Sequence, residues 1–271
     1  MSETLTKSAF VPVPGGREIP APEGVDPVLF KRRMGRLFMV NVEKAFDITP
    51  RMRRVQLASG DLGGLTLKPG QEIILRLPQA NGEVLRRHYT IRKYDAANNR
   101  IDVDFVLHGN SPATTWARGV TAGDYLEFTG PRGRVVLQPE ADWHVFVGDE
   151  TCIPGIFNMV EALPEGARAY VFLEAGSADE KQPLDAVANV SLEWLLRNGA
   201  HAGPSRILSD RLDAFTFPSG NGHAYVIGET SNARAIRRSL IARGFPKDQI
   251  SAEGYWRPGR VGGHDHVDDE H

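Results

Sequence analysis

Arg87, His88, Tyr89, Thr90 and Arg92 fall in one short run, followed soon after by Val106 and His108 in Asp104-Phe105-Val106-Leu107-His108-Gly109. Leu85 to Tyr94 carries β-branched and aromatic residues without a helical face, which predicts extended structure. Side chains two apart then share a face, so Arg87, Tyr89 and Ile91 stand opposite His88, Thr90 and Arg92. Such a surface suits a flavin dinucleotide. It offers cations for the pyrophosphate, a ring beside the isoalloxazine and, at Thr90, a small hydroxyl near N5. The competing reading is an ordinary exposed strand with two arginines, because Arg-x-Tyr-Thr alone is a short motif.

The next chemistry-bearing stretch is Ser111-Pro112-Ala113-Thr114-Thr115-Trp116-Ala117. Ser111 as N-cap and Pro112 at the first helical position predict a helix start. Its free N–H groups and dipole could receive a pyrophosphate, with Thr114 and Thr115 adding hydroxyls beside Ala113 and Trp116. A capped surface helix with Trp116 in the core explains the same residues.

In the second half, Gly148-Asp149-Glu150-Thr151-Cys152-Ile153-Pro154 joins a strand to a helix, where an α/β sheet tends to bind ligands. Gly148 would admit close backbone approach and Thr151 would bond a carboxamide or phosphate, while Asp149 and Glu150 cap the helix and order the loop. A simple capped turn is the plainer reading. Ile227-Gly228-Glu229-Thr230 precedes a helix bearing Arg234, Arg237, Arg238 and Arg243. Those arginines read either as a solvated face or as contacts for an adenosine phosphate. Tyr255 and Trp256 read by themselves as core aromatics.

Taken together, these residues resemble the siderophore-interacting protein family, flavin-dependent ferric-siderophore reductases of the ferredoxin-reductase-like superfamily. Supporting segments are Asp47-Ile48-Thr49-Pro50-Arg51-Met52-Arg53-Arg54-Val55, the Gly148–Pro154 turn, Ile227–Thr230 and Gly254-Tyr255-Trp256-Arg257-Pro258-Gly259. The likeness runs from about Arg33 to Gly259 with its motifs in order. Cys152 stands where the family usually has alanine, and Ser111 where a glycine is expected, which bears on the pyrophosphate geometry. The resemblance implies FAD and NADPH or NADH as cofactors, with Tyr255 and Trp256 near the flavin and the interdomain cleft. It also implies a ferric siderophore as partner, and admits ferredoxin as another electron donor.

The fold expected is two-domain: an antiparallel β-barrel FAD-binding domain, then an α/β parallel-sheet NAD(P)-binding domain. Short strands such as Leu37–Val42, Arg54–Leu57, Glu72–Leu77, Ile101–Leu107 and Tyr125–Thr129 suggest the barrel. After Trp143, strands alternate with helices at Pro154–Leu163, Ser205–Phe215 and Ser231–Arg243, the pattern of a parallel sheet. The division expected is an extended or mobile arm over 1–30, the barrel over 31–140, the α/β domain over 141–260 and a disordered acidic tail over 261–271.

Composition agrees with a globular enzyme: 271 residues, 41% hydrophobic, 24% charged and a formal charge of −2. That charge argues against a broad nucleic-acid surface. One cysteine rules out an internal disulfide framework and a cysteine-ligated iron–sulfur cluster. No apolar run approaches a membrane span, and no secretory pattern is read, so a cytoplasmic protein is expected; a monomer is expected as well, with nothing in the sequence to fix the oligomeric state. His264, His266 and His271 lie in the acidic tail, but no preorganised shell supports a metal site there.

Electron counting sets the reaction that the resemblance implies. NAD(P)H gives a hydride whereas Fe(III) takes one electron, and a flavin reconciles the two. The siderophore holds the iron, so no protein metal ligand is required. Arg53, Arg54, Arg132, Arg134, Arg257 and Arg260 are the candidates for capturing an anionic ferric siderophore, with Arg53, Arg54, Arg257 and Arg260 put first. A flavin reductase or diaphorase with another acceptor, and a non-catalytic siderophore-binding module, are the rival readings.

Overall fold

A computed structural model describes residues 13–79, 82–260 and 265–267. The first half forms β1 (Arg17–Glu18), α1 (Pro27–Met34), β2 (Arg36–Thr49), β3 (Met52–Ala58), β4 (Glu72–Pro78), β5 (Val84–Thr90), β6 (Lys93–Asp95), β7 (Arg100–Val106), α2 (Pro112–Gly119) and β8 (Tyr125–Arg132). These strands make one antiparallel sheet in the order β5-β4-β8-β2-β3-β7-β6, with β1 added beside β2.

Period-two burial along the strands builds the core. Phe38, Val40 and Val42 of β2 point inward with Val55 and Leu57 of β3, Ile73 and Leu75 of β4, Val103 and Phe105 of β7, and Phe128 of β8. The sheet curls until β5 meets β7, where the Tyr89 and Phe105 ring centroids lie 4.3 Å apart. Strand β5 ends at Thr90 because the chain changes partner: Ile91 N bonds Gln71 O, and Arg92 N bonds Asp102 O across the closing seam.

The second half forms β9 (Trp143–Gly148), α3 (Ile153–Glu161), β10 (Arg168–Ala175), β11 (Asn189–Leu196), α4 (Ile207–Asp213), β12 (Gly222–Glu229), α5 (Thr230–Ala242), β13 (Ile250–Trp256) and β14 (Asp265–His266). Their order is β11-β10-β9-β12-β13-β14, parallel throughout except for β14. Phe146 and Tyr225 pack with α3 on one face, while Val145, Val147 and Val226 pack with α4 and α5 on the other. Strand order reverses beside β9, so the crevice at the carboxyl ends of β9 and β12 is the switch point of an open α/β sheet.

The two halves share buried contacts. The β2–β3 hairpin pushes Met52 into the core of the α/β half, and Thr49 Oγ1 donates to Glu180 Oε2 at 2.6 Å. Asn158 Oδ1 accepts from Gly70 N at 2.7 Å, and its amide donates to Arg92 O at 3.2 Å. Between the halves opens a cavity of about 740 Å³.

Three segments depart from the sequence reading. Pro27–Met34 is a helix that starts in the expected arm and runs past its expected end at residue 30. Asp26 Oδ1 accepts from Val28 N at 2.8 Å, Pro27 opens the helix and Gly35 follows it at φ 69°, so a helix start and stop were present in the sequence. Asp265–His266 pairs antiparallel with Glu253–Gly254, and Val267 is buried, so this part of the acidic tail is ordered by the sheet edge. Strand β13 extends upstream from the Gly254–Trp256 motif to Ile250. His264 and His271 lie outside the described residues. Among the described residues, no helix is long and apolar enough to cross a membrane.

Candidate active site

Strand β5 and the segment after it distribute the leading candidates to different tasks. Arg87 is half-buried beside Tyr89, its Nη1 donates to Arg86 O at 2.7 Å, and it has no carboxylate partner among the described residues. Tyr89 packs against Phe105, which in turn meets Trp116 at 5.5 Å between ring centroids. Burial pushes the Tyr89 phenol well above its ordinary pKa, so the ring stays neutral. Thr90 is buried and shares a hydrogen bond with Tyr255 from the other half. A Cβ on Gly155 would sit 3.3 Å from Thr90 Oγ1, so the glycine in α3 lets that helix approach.

His88 and Arg92 are engaged within the protein. His88 Nδ1 lies 2.6 Å from Glu72 Oε1. Arg92 makes a two-pronged bridge to Glu161 at the end of α3, both contacts 2.6 Å, with its guanidinium over Phe157. That geometry makes Arg92 a clasp between the halves.

Helix α2 starts as expected, with Ser111 Oγ accepting from Thr114 N at 3.2 Å. Thr114 Oγ1 donates to His108 O at 3.2 Å, so the cap and this hydroxyl are spent internally. Ala113 is in the barrel core and Trp116 packs on Phe105, whereas the Thr115 side chain is exposed.

The turn after β9 is organised by Asp149. Its Oδ1 accepts from Thr151 N at 2.9 Å and Thr151 Oγ1 at 2.6 Å, and its Oδ2 accepts from Glu229 N at 2.8 Å and Trp256 Nε1 at 2.9 Å. Burial raises the Asp149 pKa, and the bonds from Thr151 and Trp256 oppose that rise. Gly228 is needed opposite, because its φ is 137° and a Cβ there would lie 2.6 Å from Asp149 Oδ2. Gly148 is held close too, since a Cβ would lie 2.9 Å from Ile227 O. Glu229 caps α5, its Oε2 accepting from Asn232 N at 2.9 Å, while its buried Oε1 has no partner among the described residues. Burial drives the Cys152 thiol well above its usual pKa, which leaves it protonated and unreactive.

Val106, His108, Glu150, Thr151 and Trp256 all line the interdomain cavity. Arg197, which the sequence did not single out, lies beside them. It is 6% exposed and bonds Glu150 through both terminal nitrogens and Glu174 Oε1 at 3.1 Å. Ser205 Oγ completes the group by donating to Glu174 Oε2 at 3.0 Å. The carboxylate bonds, Glu150 first, hold the guanidinium protonated. The cleft thus joins barrel residues to the carboxyl ends of the parallel strands.

The same two-part organisation appears in family models. Residues 141–259 match the siderophore-interacting protein model, and residues 65–135 match the siderophore-interacting FAD-binding domain. Ferric vibriobactin reductase ViuB of Vibrio cholerae is 34% identical over 203 residues, spanning 69% of this chain and 73% of that protein. The chain belongs to the siderophore-interacting protein family. Among solved members, the siderophore utilization protein from T. fusca superposes with a TM-score of 0.77 at 34% identity, covering 83% of this chain and 94% of that one. The siderophore-interacting protein SipS from Aeromonas hydrophila gives a TM-score of 0.73 at 28% identity, covering 84% and 94% respectively.

In this siderophore-interacting protein four arginines of the expected basic patch, Arg53, Arg54, Arg257 and Arg260, pair with carboxylates. Arg53 Nη1 is 2.7 Å from Asp47, and Arg54 makes a fork to Asp104 at 2.7 and 2.8 Å. Arg257 lies 3.8 Å from Asp265, which also bonds Arg260. The Arg54–Asp104 pair was invisible in sequence because its members lie 50 residues apart on different strands. Arg243 is also structural, donating to Leu212 O at 2.7 Å and covering the Phe217 ring. His266 is exposed beside Arg134 and Glu253, and no metal-binding cluster occurs among the described residues.

Proposed function

We propose that this protein reduces ferric siderophores through FAD, with NADH or NADPH as the electron source. The observation that carries the reading is the cleft between an FAD-binding family domain and an α/β sheet whose switch point opens into it. The relative that acts on ferric vibriobactin supports the acceptor class.

The donor set fits FAD. Arg87 offers a guanidinium with no carboxylate partner among the described residues, Tyr89 a neutral ring backed by Phe105 and Trp116, and Thr115 an exposed hydroxyl on α2. Thr90 and Tyr255, joined by their hydrogen bond, would hold the redox ring where the halves meet. Bound FAD would supply the exchange between a two-electron hydride donor and a one-electron Fe(III) acceptor. Protein groups bind and orient. Trp256, fixed by Asp149, forms one wall of the cleft, and Glu150 and Thr151 of the turn after β9 form the next.

Reduction weakens the complex because hard oxygen donors prefer Fe(III) to Fe(II), so no protein ligand has to extract the metal. Anaerobic mixing with NADH or NADPH, then with a ferric siderophore, tests the sequence of events. Flavin absorbance should bleach with the nucleotide and return with the ferric chelate. Bleaching without return would overturn the acceptor; tight chelate binding without bleaching would leave a binding module.

The pairing of Arg53, Arg54, Arg257 and Arg260 with carboxylates favours a second reading, a flavin reductase with a different acceptor. Faster turnover of quinones or free flavins than of ferric siderophores would select it.

A further inference from the structure

We propose that Arg51 reaches across the interdomain cleft to bind the diphosphate of the nicotinamide dinucleotide; this rests on the dinucleotide-donor reading above. The cavity has two arginines, Arg51 from the barrel half and Arg197 from the α/β half. Arg197 is consumed by Glu150 and Glu174. Arg51 has an exposed side chain and no carboxylate partner among the described residues. It is therefore the arginine in this cleft whose charge is available to a ligand.

Its position is tightly set. Arg51 sits at the tip of the β2–β3 hairpin, between Thr49, which donates to Glu180, and Met52, which is buried in the core of the α/β half. Its own carbonyl accepts from Leu107 N at 2.7 Å. The guanidinium ends over Gly176, just past β10. A Cβ at Gly176 would meet Arg51 Nη1 at 3.3 Å and Arg197 Nη2 at 3.4 Å, so glycine keeps this corner open. The corner adjoins Glu150 and Thr151 of the turn after β9, at the carboxyl edge of the parallel strands. Phosphate groups of dinucleotides favour that edge of such sheets, and a guanidinium matches a phosphate with two parallel N–H donors. An arginine supplied by the partner domain would also make nucleotide binding sensitive to how the halves are docked.

The test uses the FAD-loaded full-length protein and oxidised nucleotides, so that no turnover occurs. Binding of NAD+, NADP+ and ADP-ribose is measured by calorimetry across a salt series, with R51A, R51K and the off-cleft control K68A. Expected for R51A is about a tenfold or greater loss for all three ligands, as for a lost charge-assisted bond. A shallower salt dependence should accompany it, with partial recovery in R51K and wild-type behaviour in K68A. Unchanged affinity in both R51A and R51K would overturn the assignment. Loss confined to NADP+ would overturn the diphosphate contact in favour of the 2′-phosphate. Loss of an anionic ferric siderophore without loss of nucleotide would place Arg51 on the acceptor instead. Failure of the wild type to bind any nucleotide would sink the donor reading itself, an outcome separate from an Arg51 effect.

Discussion

The indole N–H of Trp256 donates to Asp149 Oδ2 at 2.9 Å, tying the end of β13 to the turn after β9. Because the same carboxylate also accepts from Thr151 and from the Glu229 amide, one buried group aligns three strand ends around the cleft. Asp149 is thus a positioning residue, and the aromatic wall of the cavity depends on it.

Asp149→Ala should therefore destabilise the protein by at least about 2 kcal/mol, because several buried donors lose their acceptor. Trp256→Phe removes one donor and should cost less, about 1 kcal/mol. Urea unfolding of both single variants and the double variant gives their coupling. Additive costs would show that the indole and carboxylate do not act together.

Arg87→Ala should release FAD readily. Loss of a charge-assisted phosphate contact is worth about 1.5–3 kcal/mol, or roughly tenfold and more in affinity. The flavin content of purified protein after dialysis reads this directly. Full retention would remove Arg87 from the phosphate site.

The Arg92–Glu161 clasp predicts a stability effect with little change in flavin content. Arg92→Met leaves Glu161 without its cation and should cost about 1–3 kcal/mol, discounted from the fully buried case because Glu161 is partly exposed. Adding Glu161→Leu should recover much of that loss, since both charges are then gone. Denaturation midpoints check the stability changes, and hydrogen exchange at α3 and Ile91–Tyr94 locates them. Flavin loss in Arg92→Met at unchanged stability would return Arg92 to the cofactor site.

Acid should weaken the α/β half through two buried histidines. His144 and His223 are cross-strand partners on β9 and β12, and burial lowers each pKa to about 4. An unfolded histidine titrates near 6.5. Over the interval between those values the unfolded chain binds more protons, so stability is present above about pH 6.5 and falls as pH drops toward 4. The ceiling is about 3 kcal/mol per histidine. Urea midpoints at pH 7, 5.5 and 4.5 should fall less steeply in a His144→Gln, His223→Gln double variant. Parallel profiles for variant and wild type would assign acid sensitivity to other groups.

Local pattern carried much of the architecture. Short strands separated by turns marked the barrel, and alternating strands and helices marked the parallel sheet, because each element must turn its apolar side to one core. Short-range chemistry was equally legible at Ser111–Pro112, whose cap and proline start α2, and at Gly148–Pro154, which joins β9 to α3. The Asp26–Pro27 start of α1 was missed, because its Pro- and Gly-rich surroundings read as an extended arm.

What each polar side chain does was decided by the tertiary structure. Arg54 and Asp104 belong to different strands, Arg92 and Glu161 to different halves, and Arg197 gathers carboxylates from two separate strand ends. A sequence shows that a cation exists, but burial makes its charge costly unless a carboxylate stands within hydrogen-bond reach, and only folding brings that partner there. By the same rule Arg54 and Arg197 have spent their charge inside the fold, while Arg87 and Arg51 have no carboxylate partner among the described residues.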